Sequence, residues 1–357
     1  MKLLNPGPVT LTSRVRNTLL GPDLCHREPE FGVLETEIRT LLTQVYNAPG
    51  YTAVLITGSG TAAVEAMVGS LVPSYGHALV VANGAYGQRI ADMLRAQQKT
   101  SHLAESSWVD SINLMKVEEL LKTHPEISHV IAVHHETTTG RLNDIAPLGE
   151  LCKMYDKKLL LDTVSSFGGE AIDFMHWNLE AVAATANKCL HGVPGVSFVL
   201  VRKETLEKGT SGAASIYLDL FRHYPEQERG STAFTQSAQI CYALKEALLE
   251  LKDAGGWQAR NRHYRELSGQ VFRGLTLLGI QPLLSIDLPS SSILTSYRLP
   301  AGSTYPELHD HLKSQGFVIY AGHGQFSQDI FRIAVMGDVT SSDIERLLQA
   351  FKNFLND

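Results

Sequence analysis

A lysine and an aspartate in this chain each follow a short apolar segment. Lys188 comes after the small-residue run 181–184 and before a turn rich in glycine and proline, and Asp162 ends the apolar run Leu159–Leu161. Because parallel strands end at a common edge of their sheet, both side chains are predicted to lie at that edge. This pair suits the chemistry of pyridoxal 5'-phosphate (PLP): the amine forms a Schiff base with the aldehyde, and the acid keeps the pyridine nitrogen protonated.

A second motif, Gly58-Ser59-Gly60-Thr61, follows the predicted strand 52–56 and opens a predicted helix. The first N–H groups of a helix have no partner within the helix, and they carry the positive end of its dipole. Together with the two hydroxyls of the motif, they suit a bound phosphate. Ser59, Gly60 and Thr61 are therefore predicted to bind the phosphate group of the cofactor.

Two other interpretations of this turn stay open. The first is an ordinary turn between a strand and a helix. The second is the dinucleotide fingerprint of an NAD(P)-binding dehydrogenase, because the spacing of Gly58, Gly60 and Ala63 matches that motif. That fingerprint expects an acidic residue at the end of the next strand, where it binds a ribose, and the segment 82–84 offers none. Binding of NAD(P)H by a colourless protein would identify the dehydrogenase.

Polar residues also follow other predicted strands. Tyr86 comes after the strand 78–81, where it either stacks on a cofactor ring or lies in the core. The segment 134–136 reads His-His-Glu, but successive strand residues point to opposite faces. We therefore predict no metal site there, and expect hydroxyl contacts from this loop to the cofactor. Arg332, on a later strand, suits a carboxylate or phosphonate, which a guanidinium binds through two hydrogen bonds. His323 is expected on a solvated surface.

The composition bounds the class of protein. The 357 residues are 44% hydrophobic and 19% charged, which is typical of a large globular domain with a smaller one. A formal net charge of −6 gives no basic field for nucleic acid or an anionic membrane. No apolar run approaches the ~20 residues of a membrane span, and the amino-terminal apolar segment is too short for a signal peptide. The four cysteines are scattered, so no disulfide framework is expected, and a cytoplasmic location is the default expectation.

The order of predicted elements indicates three regions. Residues 1–15 are predicted to form an arm, because their Asn-Pro-Gly-Pro segment interrupts both helix and strand. Residues 16–255 alternate short, continuously apolar strands with helices, which predicts a large α/β domain around a mostly parallel sheet buried on both faces. Residues 256–357 are predicted to form a smaller α+β domain.

Several of these motifs together resemble the 2-aminoethylphosphonate–pyruvate aminotransferases, a group in the class V branch of the fold type I PLP enzymes. The resemblance runs from residue 5 to the C-terminal helix, and its segments are 58–66, 83–87, 136–140, 162–169, 186–195 and 331–333. It implies a fold type I transferase with a mostly parallel seven-stranded sheet in the large domain. It also implies PLP as the cofactor and a homodimer with the site at the subunit boundary.

The resemblance implies roles for single residues. Lys188 resembles the lysine that carries the cofactor, Asp162 the partner of the pyridine nitrogen, and Arg332 the arginine that binds the substrate anion. Arg27 is a candidate second anion contact, and Thr235 matches a threonine that reaches the cofactor phosphate from the neighbouring subunit. The full set of implied cofactor contacts is Ser59, Gly60, Thr61, Tyr86, Thr137, Asp162, Asn187, Lys188 and Thr235.

The implied reaction is a ping-pong transfer of an amino group between a small-molecule amine and a 2-oxo acid. The expected substrates are 2-aminoethylphosphonate and pyruvate, which interconvert with phosphonoacetaldehyde and alanine. An alanine–glyoxylate or serine–glyoxylate aminotransferase is the alternative within the same branch. The physiological direction of the reaction stays open.

Overall fold

A computed structural model describes residues 1–285 and 290–356. Within these ranges, no helix is both long and apolar enough to cross a membrane. The strands are β1 Lys2–Leu3, β2 Tyr51–Gly58, β3 His77–Ala82, β4 Thr100–Glu105, β5 Ile127–Val133, β6 His135–Glu136, β7 Arg141–Leu142, β8 Lys158–Asp162, β9 Leu179–Thr185, β10 Gly195–Arg202, β11 Leu294–Arg298, β12 Phe317–Val318, β13 Tyr320–Ala321 and β14 Ile330–Ala334.

The α-helices lie between these strands and at the carboxyl end of the chain. They are α1 Ser13–Asn17, α2 Pro29–Gln44, α3 Gly60–Leu71, α4 Ala85–Ala96, α5 Leu114–Thr123, α6 Ala146–Met154, α7 Lys203–Lys208, α8 Leu220–Glu228, α9 Ala238–Asp253, α10 Gly256–Leu277, α11 Tyr305–Ser314 and α12 Ser341–Asn356. Short 3-10 helices cover Thr18–Leu20 and Gly324–Phe326.

The central sheet has seven strands in the order β2-β10-β9-β8-β5-β3-β4. Strand β10 is antiparallel to both of its neighbours, and the other neighbouring pairs are parallel. Successive residues of β2 enter different apolar clusters, with Leu55 on one face and Ile56 on the other. Both faces are therefore buried, which explains the continuously apolar strands. The predicted α/β fold with a mostly parallel seven-stranded sheet is confirmed.

A smaller antiparallel sheet in the order β11-β14-β13 lies in the carboxyl-terminal third of the chain. It shares an apolar cluster with residues of α10, α11 and α12. The amino-terminal segment joins the same cluster through Leu4 and Val9, and β1 pairs in parallel with β12. The predicted boundaries at residues 15 and 255 stay predictions.

The sheet brings several chain segments to one edge. Because β2, β3, β5, β8 and β9 run in the same direction, the residues that follow their carboxyl ends lie along a common edge. These segments include Ser59, Asn83, His134 and Lys188, and β8 itself ends at Asp162. Open α/β sheets bind their ligands at this edge.

Candidate active site

Five of the residues singled out from the sequence line one pocket at the carboxyl edge of the sheet. They are Thr61, Tyr86, Thr137, Asp162 and Lys188. The same pocket is also lined by residues that sequence reasoning did not assign, among them Arg89, His135 and Val164. An acid, an amine, two hydroxyls and an aromatic ring therefore meet in one place, although they come from distant parts of the chain.

Asp162 ends β8 and is 7% exposed. Its Oδ1 accepts a hydrogen bond from the backbone N–H of Val164 at 2.9 Å. Burial raises the pKa of Asp162 to about 6, although that hydrogen bond and the charges of Lys188 and Arg89 act in the opposite direction. The carboxyl group is therefore mostly ionised at neutral pH, and a cationic partner in the pocket would stabilise that charge.

Lys188 lies in the loop that follows β9, and burial lowers its pKa to about 8. Its Nζ donates a hydrogen bond to the backbone carbonyl oxygen of Pro6. Gly7 packs so closely on the lysine that a Cβ there would lie 2.7 Å from Lys188 Cδ. The backbone φ of Gly7 is +106°, a value that also favours glycine. The amino-terminal segment therefore closes over the amine, a contact that no local sequence pattern indicates.

Helix α3 begins at Gly60, directly after β2, and Ser59 is its N-cap residue. The Ser59 side chain makes no capping hydrogen bond, so it does not occupy the donors of the first turn. A Cβ at Gly60 would lie 2.7 Å from Val164 Cγ1, so only glycine allows α3 to approach the Asp162 loop this closely. Sequence and packing together place beside the pocket a helix amino terminus that the Ser59 side chain does not cap.

Glu136 is fully buried and connects two segments of the pocket wall. Its Oε1 accepts hydrogen bonds from the N–H of Thr138 at 3.1 Å and the Thr138 hydroxyl at 2.6 Å, and its Oε2 accepts from the Tyr86 N–H at 3.2 Å. Gly84 lacks the Cβ that would lie 2.2 Å from the Glu136 carboxyl carbon. Glu136 therefore positions Tyr86 and the loop of Thr137, a role that sequence reasoning missed.

The ring of Tyr86 is half-buried between two other side chains. The guanidinium carbon of Arg89 lies 4.8 Å from its centroid, and the imidazole of His323 stacks with it at 6.3 Å. His323 is half-buried, with Nδ1 fully covered and without a partner in the described ranges. The expectation that His323 lies on a solvated surface is wrong, because the chain just before the last 3-10 helix packs against α4.

Arg332 lies on β14 and is 6% exposed. Its Nε donates to the carbonyl oxygen of Ala321 at 2.8 Å, and its Nη1 donates to that of Thr137 at 2.9 Å. These bonds fix the plane of the guanidinium beside the loop of Thr137. An arginine held in this way is oriented before any anion arrives.

Six of the predicted residues are not among those that line the pocket, namely Ser59, Gly60, Arg332, Asn187, Thr235 and Arg27. Asn187 precedes the lysine, and its Oδ1 accepts a hydrogen bond from the Thr185 hydroxyl at 2.8 Å. Thr235 and Arg27 are exposed in the single chain. Their assignment to the site stays a prediction.

The pocket residues fit the cofactor that the sequence suggests. His135 is 1% exposed, and its Nδ1 lies 3.2 Å from the carbonyl oxygen of Ser165, which leaves Nε2 buried and without a partner in the part of the chain that the structure describes. Burial lowers the pKa of His135 to about 4, so the ring is neutral and Nε2 is an acceptor that faces a ligand site. A buried acid, an amine, an unused acceptor and a helix amino terminus together match an anionic heterocycle with a phosphate.

The sheet topology and this site define a PLP-dependent transferase of fold type I. The chain belongs to the class-V aminotransferase family, whose model matches residues 22–347. PLP is the cofactor of that family, so the predicted cofactor is confirmed, as is the prediction that the protein is an aminotransferase.

Curated relatives and solved structures agree with this family. The chain is 38% identical to a 2-aminoethylphosphonate–pyruvate transaminase of Klebsiella pneumoniae and 40% identical to one of Vibrio vulnificus, and each match covers 98% of this chain and 96% of the relative. It is also similar to the crystal structure of an alanine–glyoxylate aminotransferase from Nostoc sp., with a TM-score of 0.91, 25% identity, and coverage of 99% of this chain and 94% of that one.

Proposed function

We propose that this protein transfers the amino group of 2-aminoethylphosphonate to pyruvate, giving phosphonoacetaldehyde and alanine, by a reversible ping-pong reaction. The observation that carries the proposal is the pairing of Asp162 and Lys188 in one pocket of a class-V aminotransferase. The choice of substrates is supported by relatives of that name, which match nearly the whole chain.

Lys188 and Asp162 are the proposed catalytic residues. When bound, PLP supplies the aldehyde that carries the amino group and the ring that takes up the electron pair of the broken C–H bond. With a pKa of about 8, part of the Lys188 amine is unprotonated near neutral pH, so Nζ can take a proton from the substrate carbon and return it. The Asp162 carboxylate holds a proton at the pyridine nitrogen through charge attraction.

The remaining cofactor contacts follow from the pocket wall. Ser59, Gly60 and Thr61, at the amino terminus of α3, are proposed to bind the phosphate, and the Tyr86 ring is proposed to lie against the cofactor ring. Thr137, which also lines the pocket, is proposed to supply a further hydroxyl contact. We also propose Asn187 as a contact beside the lysine.

Arg332 is the proposed site for the anionic end of both substrates. Nε and Nη1 are bonded to backbone carbonyl oxygens, so the guanidinium is held in one orientation. Phosphonate and carboxylate both offer paired oxygens, which one guanidinium can bind in turn. Arg27 is proposed as a second anion contact that is brought to the site in the assembled enzyme.

A homodimer is part of the proposal. Thr235 is exposed in the single chain, so its hydroxyl is accessible to a second copy, where we propose that it binds the cofactor phosphate. Light scattering of the purified protein tests the dimer, and mixing Thr235→Ala chains with Lys188→Ala chains tests whether the site is shared. A cytoplasmic location is also proposed, and cell fractionation tests it.

The decisive experiment supplies PLP-loaded protein with 2-aminoethylphosphonate and pyruvate and follows the formation of alanine. We expect turnover by the wild type and by the control variant Lys153→Ala, whose side chain is exposed, and none by Lys188→Ala. Similarity to the Nostoc enzyme makes alanine with glyoxylate the second pair to test. Turnover of that pair without turnover of the phosphonate would refute the proposed substrate while keeping the enzyme class.

A further inference from the structure

Three histidines and a glutamate, residue types that can bind a metal, meet at the edge of the sheet opposite the active site. His77 is the first residue of β3, His102 lies in β4, and His124 and Glu126 flank the turn between α5 and β5. Since β3 has 6 residues, at about 3.3 Å per residue, this cluster lies about 20 Å from the loop that follows the strand. The reaction proposed above uses none of the four.

The strand register explains why these side chains converge. In the parallel pairing of β3 with β4, His77 lies opposite Thr100 and Leu79 opposite His102. His77 and His102 therefore project from the same face of the sheet, two positions apart along the strands. Ile127 pairs with His77 from the other side, which brings Glu126 beside it. The strand register therefore places these side chains together, and their approach does not depend on the conformation of a long loop.

The ligand atoms have the spacing of a metal site. His77 Nδ1 lies 3.1 Å from His102 Nε2 and 3.5 Å from Glu126 Oε1, and the latter two atoms are 4.0 Å apart. The point equidistant from these three atoms lies about 2.1 Å from each of them, which equals the usual bond length from zinc to histidine nitrogen or carboxylate oxygen.

His124 supports this arrangement from outside the triangle. Its Nδ1 lies 3.1 Å from Glu126 Oε1, and its ring contacts that of His102 with centroids 4.1 Å apart. A histidine bonded to a ligating carboxylate fixes the direction of that carboxylate, and such outer partners raise metal affinity. The His102 side chain is 14% exposed, whereas those of His77 and Glu126 are 34% and 43% exposed, so an ion can enter from solvent.

We propose that His77, His102 and Glu126 bind one divalent transition-metal ion of the zinc class, with His124 as a positioning residue. Two imidazoles and one carboxylate are a donor set that zinc prefers, with a fourth position left for water. The ion would join the start of β3 to the edge strand β4 and to the chain entering β5, and so stabilise this end of the sheet.

Zinc binding to the PLP-loaded enzyme tests the proposal, after treatment with a chelator and removal of free PLP by gel filtration. We expect one zinc ion per chain by elemental analysis, saturable binding by calorimetry, and a rise in melting temperature on adding zinc. His102→Gln and Glu126→Gln should each lower the affinity at least about tenfold and abolish the rise, and His124→Gln should weaken binding less.

His176→Gln is the matched control, because the exposed His176 pairs with Asp173 at 2.7 Å and belongs to no group of three metal-binding side chains among the residues that the structure describes. It should bind zinc like the wild type. All variants should keep the aminotransferase activity, which shows that they are folded and separates this test from that of the proposed function. Absence of saturable zinc binding, or unchanged binding in His102→Gln, would overturn the proposal and leave a cluster held by hydrogen bonds alone.

Discussion

Replacing Lys188 by methionine in the cofactor-free protein should stabilise the fold near neutral pH. Burial holds the pKa of Lys188 at about 8, below its ordinary value of 10.5, so the folded chain binds this proton less tightly than the unfolded chain. Below pH 8 the folded state therefore bears the full cost of keeping the amine charged, and the cost disappears as the pH rises above 10.5. Methionine fills a similar volume without a charge.

The two pKa values give the magnitude. At about 1.4 kcal/mol per pH unit, the charged amine lowers the free energy of unfolding by about 3 kcal/mol at about pH 7, and by about 1.5 kcal/mol at about pH 9.5. Methionine leaves the Pro6 carbonyl oxygen without its donor, which costs about 1 kcal/mol at either pH. The variant should thus be more stable by about 2 kcal/mol at about pH 7, an advantage that falls to nearly zero at about pH 9.5.

Urea unfolding of cofactor-free wild type and Lys188→Met at the two pH values measures this difference. Apoprotein is required because, on the proposed function, the cofactor would react with Lys188 of the wild type and not with the variant. The exposed Lys153→Met is the control, and its effect should be small and independent of pH. A Lys188→Met protein that is less stable than the wild type at neutral pH, or equally affected at both pH values, would refute the reasoning.

Two further predictions concern residues that pack around the site, and a third concerns two cysteines. The fall in kcat caused by Gly7→Ala should be at least about ten times the fall caused by Gly302→Ala. Both glycines have a positive φ, but an added Cβ would contact Lys188 at Gly7, whereas at Gly302 nothing lies within 4 Å of it. Glu136→Gln should weaken PLP binding and lower stability by about 1–2 kcal/mol, since an amide nitrogen cannot accept the bonds that the carboxylate accepts. An alkylating reagent should modify exposed Cys25 well before Cys189, whose pKa burial raises to about 12.

Each of these has a direct measurement. Steady-state kinetics compares the two glycine variants, and equal losses would show that backbone strain alone matters at Gly7. Fluorescence titration of apoprotein with PLP and urea unfolding report on Glu136→Gln, and unchanged affinity would remove its positioning role. Peptide mass spectrometry follows the alkylation, and early modification at Cys189 would contradict its burial.

The central strands were predictable because parallel strands covered on both faces are apolar throughout. The predicted strand 52–56 lies within Tyr51–Gly58, and the predicted strand 78–81 lies within His77–Ala82. The edge strand Thr100–Glu105 was not located, because most of its residues are partly or fully exposed and it lacks a continuous apolar run. Hydrophobic pattern thus reports burial, and it locates strands only where burial and strand formation coincide.

The approach of Lys188 to Asp162 was predictable for a different reason. Asp162 ends β8 and Lys188 follows β9, its parallel neighbour, so strand direction alone brings them to one edge. The contact of Lys188 with Pro6 depends on how the amino-terminal segment packs across 182 residues of sequence, and Glu136 reaches Tyr86 over 50. Local patterns carry no information on such contacts, so Glu136 and Pro6 were missed although Lys188 and Asp162, the residues proposed to react, were singled out from the sequence.

The packing around Lys188 explains how one pocket can hold an amine ready to react. Desolvation alone would favour a neutral amine and a protonated acid, whereas the attraction between Lys188 and Asp162 favours both charges. Because burial prevails for each group, both pKa values lie within about one unit of neutrality, and small changes in the pocket shift either proton. A cationic ring nitrogen next to Asp162 would favour its charged form. The protein therefore holds an acid and a base at the cost of stability, and a bound cofactor would recover part of that cost.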